Sequence, residues 1–120
     1  MKTSFFIHLK KKFVRINLDD INYILSVAHH VKIHTSQGVY IPHLSLRQLE
    51  EILPSTDFVR ANRGTLIPIK KVTAFTNDEV FLGTERFGIT DHFREELKRL
   101  LLIMIHRETD NSDREDEITI

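Results

Sequence analysis

The chain has 120 residues, 41% of them apolar and 28% charged, with four glycines and three prolines. That fits one globular domain with its own core and excludes a chain disordered over most of its length. It has no cysteine, which excludes a disulfide framework and a thiolate metal site and points to a reducing compartment. The formal net charge is zero but unevenly spread: residues 1–76 hold 11 Lys/Arg against 5 Asp/Glu, and residues 77–120 hold 6 against 12. Six of those acids (Glu108, Asp110, Asp113, Glu115, Asp116, Glu117) crowd into the last thirteen residues. A moderately basic body with an acidic tail is thus expected, with the domain at 1–107 and a disordered tail at 108–120. A local basic surface can attract phosphates whatever the total charge.

In chain order, short β-type runs come first: Ser4–Leu9, Lys12–Asn17, Ile21–Val27, Val31–Thr35 and Val39–Ile41. They are rich in Phe, Val and Ile and separated by Lys10-Lys11, Leu18-Asp19-Asp20, Ala28-His29-His30 and Ser36-Gln37-Gly38. Strands at such intervals without intervening helices predict antiparallel sheets. Across 44–53 the period changes. Leu46, Leu49, Ile52 and Leu53 share a helical face, Ser45 and Gln48 form a capping box, and Pro54 stops the helix. A second β section follows at Phe58–Arg60, Thr65–Ile67, Val72–Thr76, Glu79–Leu82 and Phe87–Thr90, with turns at Asn77-Asp78 and across Gly83 to Arg86. The last element is a helix that Thr90 or Asp91 can cap, with Phe93, Leu97, Leu100, Leu101 and Met104 on one side. Leu102, Ile103 and Ile105 widen its apolar surface beyond one packing face, which suggests an additional partner.

The longest apolar run, Leu100–Ile105, is far shorter than the roughly 20 residues of a membrane span, and Phe5-Phe6-Ile7 is too short for a signal-peptide core. A soluble, cytoplasmic domain is expected. No phosphate loop, nucleophile elbow or carboxylate pair stands in a catalytic frame, so no enzyme activity, cofactor or small-molecule substrate is expected. His29, His30 and His34 are close in sequence, but only His30 and His34 share a strand face and no acid lies near to complete a metal site.

Five pieces, in order, resemble the LytTR family over roughly residues 7–101. They are Leu18-Asp19-Asp20-Ile21-Asn22-Tyr23-Ile24; Val31-Lys32-Ile33-His34-Thr35 with Gly38; the helix Leu46 to Pro54; Phe58-Val59-Arg60-Ala61-Asn62-Arg63 followed by Ile69-Lys70-Lys71-Val72; and Gly88-Ile89-Thr90 before a helix. The resemblance implies a mainly β fold, an elongated stack of short antiparallel sheets lying along double-stranded DNA, with loops rather than a helix entering the grooves. It implies transcription regulation behind a receiver domain, as in two-component response regulators, with two protomers on paired direct repeats in promoters. His30 falls on a major-groove position, Asn62 and Arg63 on a central loop near the minor groove, and His92 on a second major-groove loop. Those four are the expected base contacts, and His29, Lys32, Arg60, Lys70, Lys71 and Arg94 the expected phosphate contacts. The sequence departs from the family at Asn62 (histidine there), Gly64 (serine), Pro68 (asparagine) and Asp91-His92 (a basic pair). Asp91, Gly64 and the acidic tail support an alternative, a LytTR-like protein-interaction module with weakened or lost DNA binding that uses the apolar end of the last helix. The apolar last helix suggests a homodimer contact.

Overall fold

The computed structural model describes residues 3–101. The expected boundary at residue 107, the acidic segment and the extra apolar positions Leu102, Ile103, Met104 and Ile105 therefore lie outside the described residues. Ten strands and two α-helices occur among the described residues, in three antiparallel sheets. Strands β1 (Ser4–Leu9) and β2 (Lys12–Asn17) form a hairpin, and a 3-10 turn at Leu18–Asp20 leads out of it. A five-stranded sheet follows, built from β3 (Ile21–Val27), β4 (His30–Thr35), β5 (Gly38–Tyr40), β6 (Phe58–Asn62) and β7 (Thr65–Pro68). Its spatial order is β5-β4-β3-β7-β6. The third sheet is β8 (Ala74–Phe75), β9 (Glu79–Leu82) and β10 (Glu85–Gly88).

Helix α1 spans Leu46–Ile52, and its capping box is complete: Gln48 N–H donates to Ser45 Oγ and Ser45 N–H donates to Gln48 Oε1. Helix α2 spans Asp91–Leu101 and buries Leu97 fully. Neither is long and apolar enough to cross a membrane.

Strand alternation makes the five-stranded sheet the middle layer. In β7, Leu66 belongs to one core and Ile67 to the other; in β6, Phe58 belongs to the first and Val59 and Ala61 to the second. Successive side chains of a strand point to opposite faces, so one sheet serves two cores. The first core closes with Phe5, Ile7 and Ile16 of the hairpin and Leu46 and Leu49 of α1. The second closes with Val80, Ile89 and Leu97. The result is elongated, 61 × 27 × 25 Å, with a radius of gyration of 16.7 Å against about 13 Å for a compact domain of 100 residues.

Strand ends differ from expectation where turns are tighter than the sequence suggests. Leu82 pairs with Glu85, so the expected Gly83-to-Arg86 turn shrinks to Gly83-Thr84, and β10 starts and ends two residues early. The run expected at 72–76 keeps only Ala74–Phe75 as strand, because Ile69–Lys71 winds into a 3-10 turn that Val72 N–H closes on Ile69 C=O. Pro68 ends β7 beyond its last pairing with β3, where a missing N–H leaves no ladder bond unmade.

Candidate nucleic-acid interface

Three connections meet at one end of the sheets. The first is the two-residue turn Ala28-His29 between β3 and β4, whose flanking residues Val27 and His30 are paired. Ala28 sits there at φ 53°, in the left-handed region that costs a non-glycine residue roughly 1–2 kcal/mol. The second is the Arg63-Gly64 turn between β6 and β7, and the third is Ile89-Thr90 leading into α2. Backbone bonds link the middle turn to β3 just before the first turn, and β6 to the third connection. Ser26 N–H donates to Gly64 C=O (2.9 Å), and Thr90 N–H donates to Ala61 C=O (3.2 Å).

Asn62 supplies the side-chain link. Its Oδ1 accepts from Gly64 N–H at 2.9 Å, and its Nδ2 donates to Gly88 C=O at 2.7 Å. Its amide, expected at a base edge, has its acceptor and one donor bonded to the backbone of Gly64 in the middle turn and of Gly88 at the end of β10.

The expected phosphate contacts divide sharply. Arg60 donates from Nε and Nη2 to the two carboxylate oxygens of Glu50 (3.1 and 2.9 Å) and from Nη1 to Arg63 C=O (2.7 Å). With its side chain only 17% exposed, it ties α1 to the middle turn. Arg94 is equally committed. It donates to Asn77 C=O (2.8 Å), Asp91 Oδ1 (2.6 Å) and Ile89 C=O (3.1 Å), fixing the path of the third loop into α2.

Lys70 and Lys71 do not join Arg60 and Arg63 in one basic cluster. Arg63 precedes β7 and the two lysines follow it, so they stand at opposite ends of a strand, about 15 Å apart at ~3.3 Å per residue. Lys70 is ion-paired with Asp19, whose carboxyl that hydrogen bond holds below its ordinary range. Lys71 Nζ donates to Asn22 Oδ1 at 2.9 Å, and burial, with Lys70 beside it, pushes its ammonium pKa down.

What remains exposed at the three loops is His29, His30, Arg63 and His92. None of these side chains hydrogen-bonds or ion-pairs with another described residue; His92 packs edge-on against Phe93. Half-buried Lys32 on β4 is also without such a partner. Sequence reasoning missed His43, whose ring lies 4.6 Å from that of His30. Thirteen residues separate them in sequence, and only the return of the chain to β4, closed by Val31 N–H on Pro42 C=O, brings them together. His29, His30 and His43 line a shallow cleft of about 350 Å³ with Ser26, Ala28 and Ser45. His34 is elsewhere, stacked on Tyr23 with ring centroids 4.3 Å apart.

The sequence profile described as the LytTr DNA-binding domain matches residues 11–102. The chain belongs to the LytTr DNA-binding domain family. Among curated relatives, the sensory transduction protein LytT of Bacillus cereus is 27% identical over 101 residues, covering 79% of this chain and 41% of its own length. LytT of Bacillus anthracis matches to the same extent. The chain thus spans about two fifths of the length of the curated relatives it matches. Among solved structures, the LytTr DNA-binding domain of a methyl-accepting/DNA response regulator from Bacillus cereus superposes with a TM-score of 0.69 at 16% identity, over 86% of this chain and all of that one. The mainly β, multi-sheet LytTr fold expected from the sequence is the fold observed. Family membership makes this a DNA-binding domain of the kind used in transcription regulation; the family is not an enzymatic one.

Proposed function

We propose that this LytTr domain reads double-stranded promoter DNA through the three adjacent loops, with His29 and His30 on the first, Arg63 on the second and His92 on the third. The observation that carries the reading is the sorting of polar side chains at that end of the molecule. Those four are exposed and uncommitted, while Asn62, Arg60 and Arg94 are spent on holding the loops in register. A rigid row of loops with free donors at its crest suits base readout, because histidine and arginine can address base edges in hydrogen-bond geometry that phosphates do not test. His29 and Lys32 are the remaining candidates for phosphate contacts. Two protomers on paired direct repeats, a homodimer contact through the end of the last helix, and a signal-receiving part corresponding to the rest of the longer relatives complete the proposal.

The test is quantitative binding to fragments from the gene's own upstream region. Arg63→Ala and His30→Ala should each weaken the preferred fragment by about 1–3 kcal/mol, with a smaller loss on random DNA and unchanged melting of the protein. Equal losses on preferred and random DNA would overturn the assignment of bases to these residues. No binding of any fragment at low salt would overturn the DNA-reading proposal as a whole.

A further inference from the structure

The β1–β2 hairpin carries a surface that loop reading leaves unused. Phe5, Ile7 and Ile16 are buried in the first core, so alternation turns Phe6, His8, Phe13 and Arg15 outward. Phe6 is 53% and Phe13 70% exposed, large values for two aromatic rings on one small sheet face. The four outward side chains are organised among themselves. Phe6 pairs with Arg15 and His8 with Phe13 across the strands, the Arg15 guanidinium lies 4.7 Å from the Phe6 ring centroid, and the His8 and Phe13 rings are 4.8 Å apart.

The hairpin is also the most one-sided charge in the described chain. Lys10, Lys11 and Lys12 at its tip are exposed, and residues 3–17 contain these three and Arg15 but no Asp or Glu. Among described residues the three lysines have no polar side-chain partner, and Arg15 has only Ser4 Oγ (2.8 Å). Lys70 and Lys71 make a poorer acceptor for an anion, since Asp19 and Asn22 already hold them and Asp20 and Glu85 lie close by.

A basic face of this kind calls for an acidic occupant with apolar residues for the rings, and the chain contains one. Residues 108–117 carry six carboxylates against Arg114, and Ile118 and Ile120 follow. Leu101 is the last described residue, and the sixteen residues from there to Glu117 can span up to about 55 Å, comparable with the 61 Å length of the domain. A tethered segment also acts at an effective concentration of about millimolar, far above that of a second copy in dilute solution. We infer that residues 108–120 dock on the outer face of the β1–β2 hairpin of their own chain, carboxylates on Lys10, Lys11, Lys12 and Arg15, isoleucines against Phe6 and Phe13. Docked there, the segment competes with any polyanion for the basic hairpin, and salt loosens it.

Because the chain has no cysteine, Ser112→Cys in the full chain gives one site for a nitroxide spin label. Amide signals of residues 6–15 should lose most of their intensity at low salt. They should recover as the Debye length falls from about 10 Å at 0.1 M to about 3 Å at 1 M, and also in a Lys10→Gln, Lys11→Gln, Lys12→Gln variant whose spectrum is otherwise unchanged. Isotope-labelled chain without the nitroxide, mixed with unlabelled chain carrying it, should show no loss. Broadening confined to Asn62–Gly64 or Lys70–Lys71, or broadening nowhere, would overturn the docking site. Broadening of the hairpin in the mixture would overturn docking within one chain and make the occupant a second copy.

Discussion

Asn62 offers the sharpest separation of a residue that holds the interface from one that reads through it. Asn62→Ala removes two hydrogen bonds at once, the acceptor for Gly64 N–H and the donor to Gly88 C=O. Gly64 is half-buried, so its N–H loses its partner where water replaces it poorly, at roughly 1–2 kcal/mol; Gly88 is exposed, and water limits the second loss to about 0.5–1 kcal/mol. The total of about 1.5–3 kcal/mol corresponds to a fall in Tm of about 6–20 °C for a domain of this size. Urea or thermal melting of the full chain measures that directly. DNA binding should weaken without any change in which base pairs are preferred, because what falls is the fraction of molecules with the second and third loops in register. Asn62→Asp should keep the Gly64 bond and lose the Gly88 one, falling between wild type and alanine. An Asn62→Ala protein that melts like wild type but relaxes preference at one or two base pairs would refute this reasoning and put the amide on a base.

Arg60→Ala should destabilise by about 2 kcal/mol, since the guanidinium makes three hydrogen bonds from a largely buried position. It should leave the salt dependence of DNA binding unchanged; a slope lower by about one unit would show that Arg60 contacts a phosphate. His34 predicts a pH effect on stability. Burial, with Lys32 nearby, lowers its pKa from 6.5, against a smaller opposing pull from Glu85, and its Nε2 is buried without a partner. The folded state thus favours the neutral ring. The contribution is complete above the unfolded value of 6.5 and is lost as pH falls below it toward the lowered folded value. Melting of wild type against His34→Phe from pH 7.5 to 5 should show wild type losing ground below about 6.5; parallel curves would remove His34 as the cause.

Strand positions were legible because each run of Phe, Val and Ile is bounded by a short polar turn, and β1, β2, β3 and β9 begin and end where the pattern does. The capping box was legible because Ser45 and Gln48 act over one helical turn. Most local structure was therefore available from sequence, the 3-10 turn at Ile69–Lys71 and the tight Gly83-Thr84 turn excepted. The intramolecular partners of the cations were not, because several of them lie far along the chain. Arg60 looks like a phosphate contact until Glu50, ten residues away on another element, takes both edges of its guanidinium. Arg94 looks the same until Asn77 C=O and Asp91 take it. Lys70 and Lys71 are close to Arg63 in sequence, but an intervening strand converts that closeness into separation. The same strand-to-strand folding brings His43 to His30, which no spacing rule would have paired.

That sorting of cations explains how a chain of zero formal charge can serve a DNA-binding family. Nonspecific affinity for duplex DNA grows with the number of phosphates a protein neutralises. Here Arg60, Arg94, Lys70 and Lys71 are engaged within the domain, and the hairpin lysines stand on an element other than the three loops. Few cations are left at the loop crest to hold DNA indiscriminately. Under the proposed function, binding energy then comes mainly from side chains that reach base edges, and those work only if their loops are held in place. Arg60 and Arg94 tie those loops from within the fold: Arg60 donates to Arg63 C=O of the middle turn, and Arg94 to Ile89 C=O of the third connection. A guanidinium spent inside the fold lowers affinity for every sequence alike, yet it preserves the geometry by which one sequence is told from another. Under the proposed function, the same intramolecular bonds that reduce the basic surface are those that make discrimination depend on His30, Arg63 and His92.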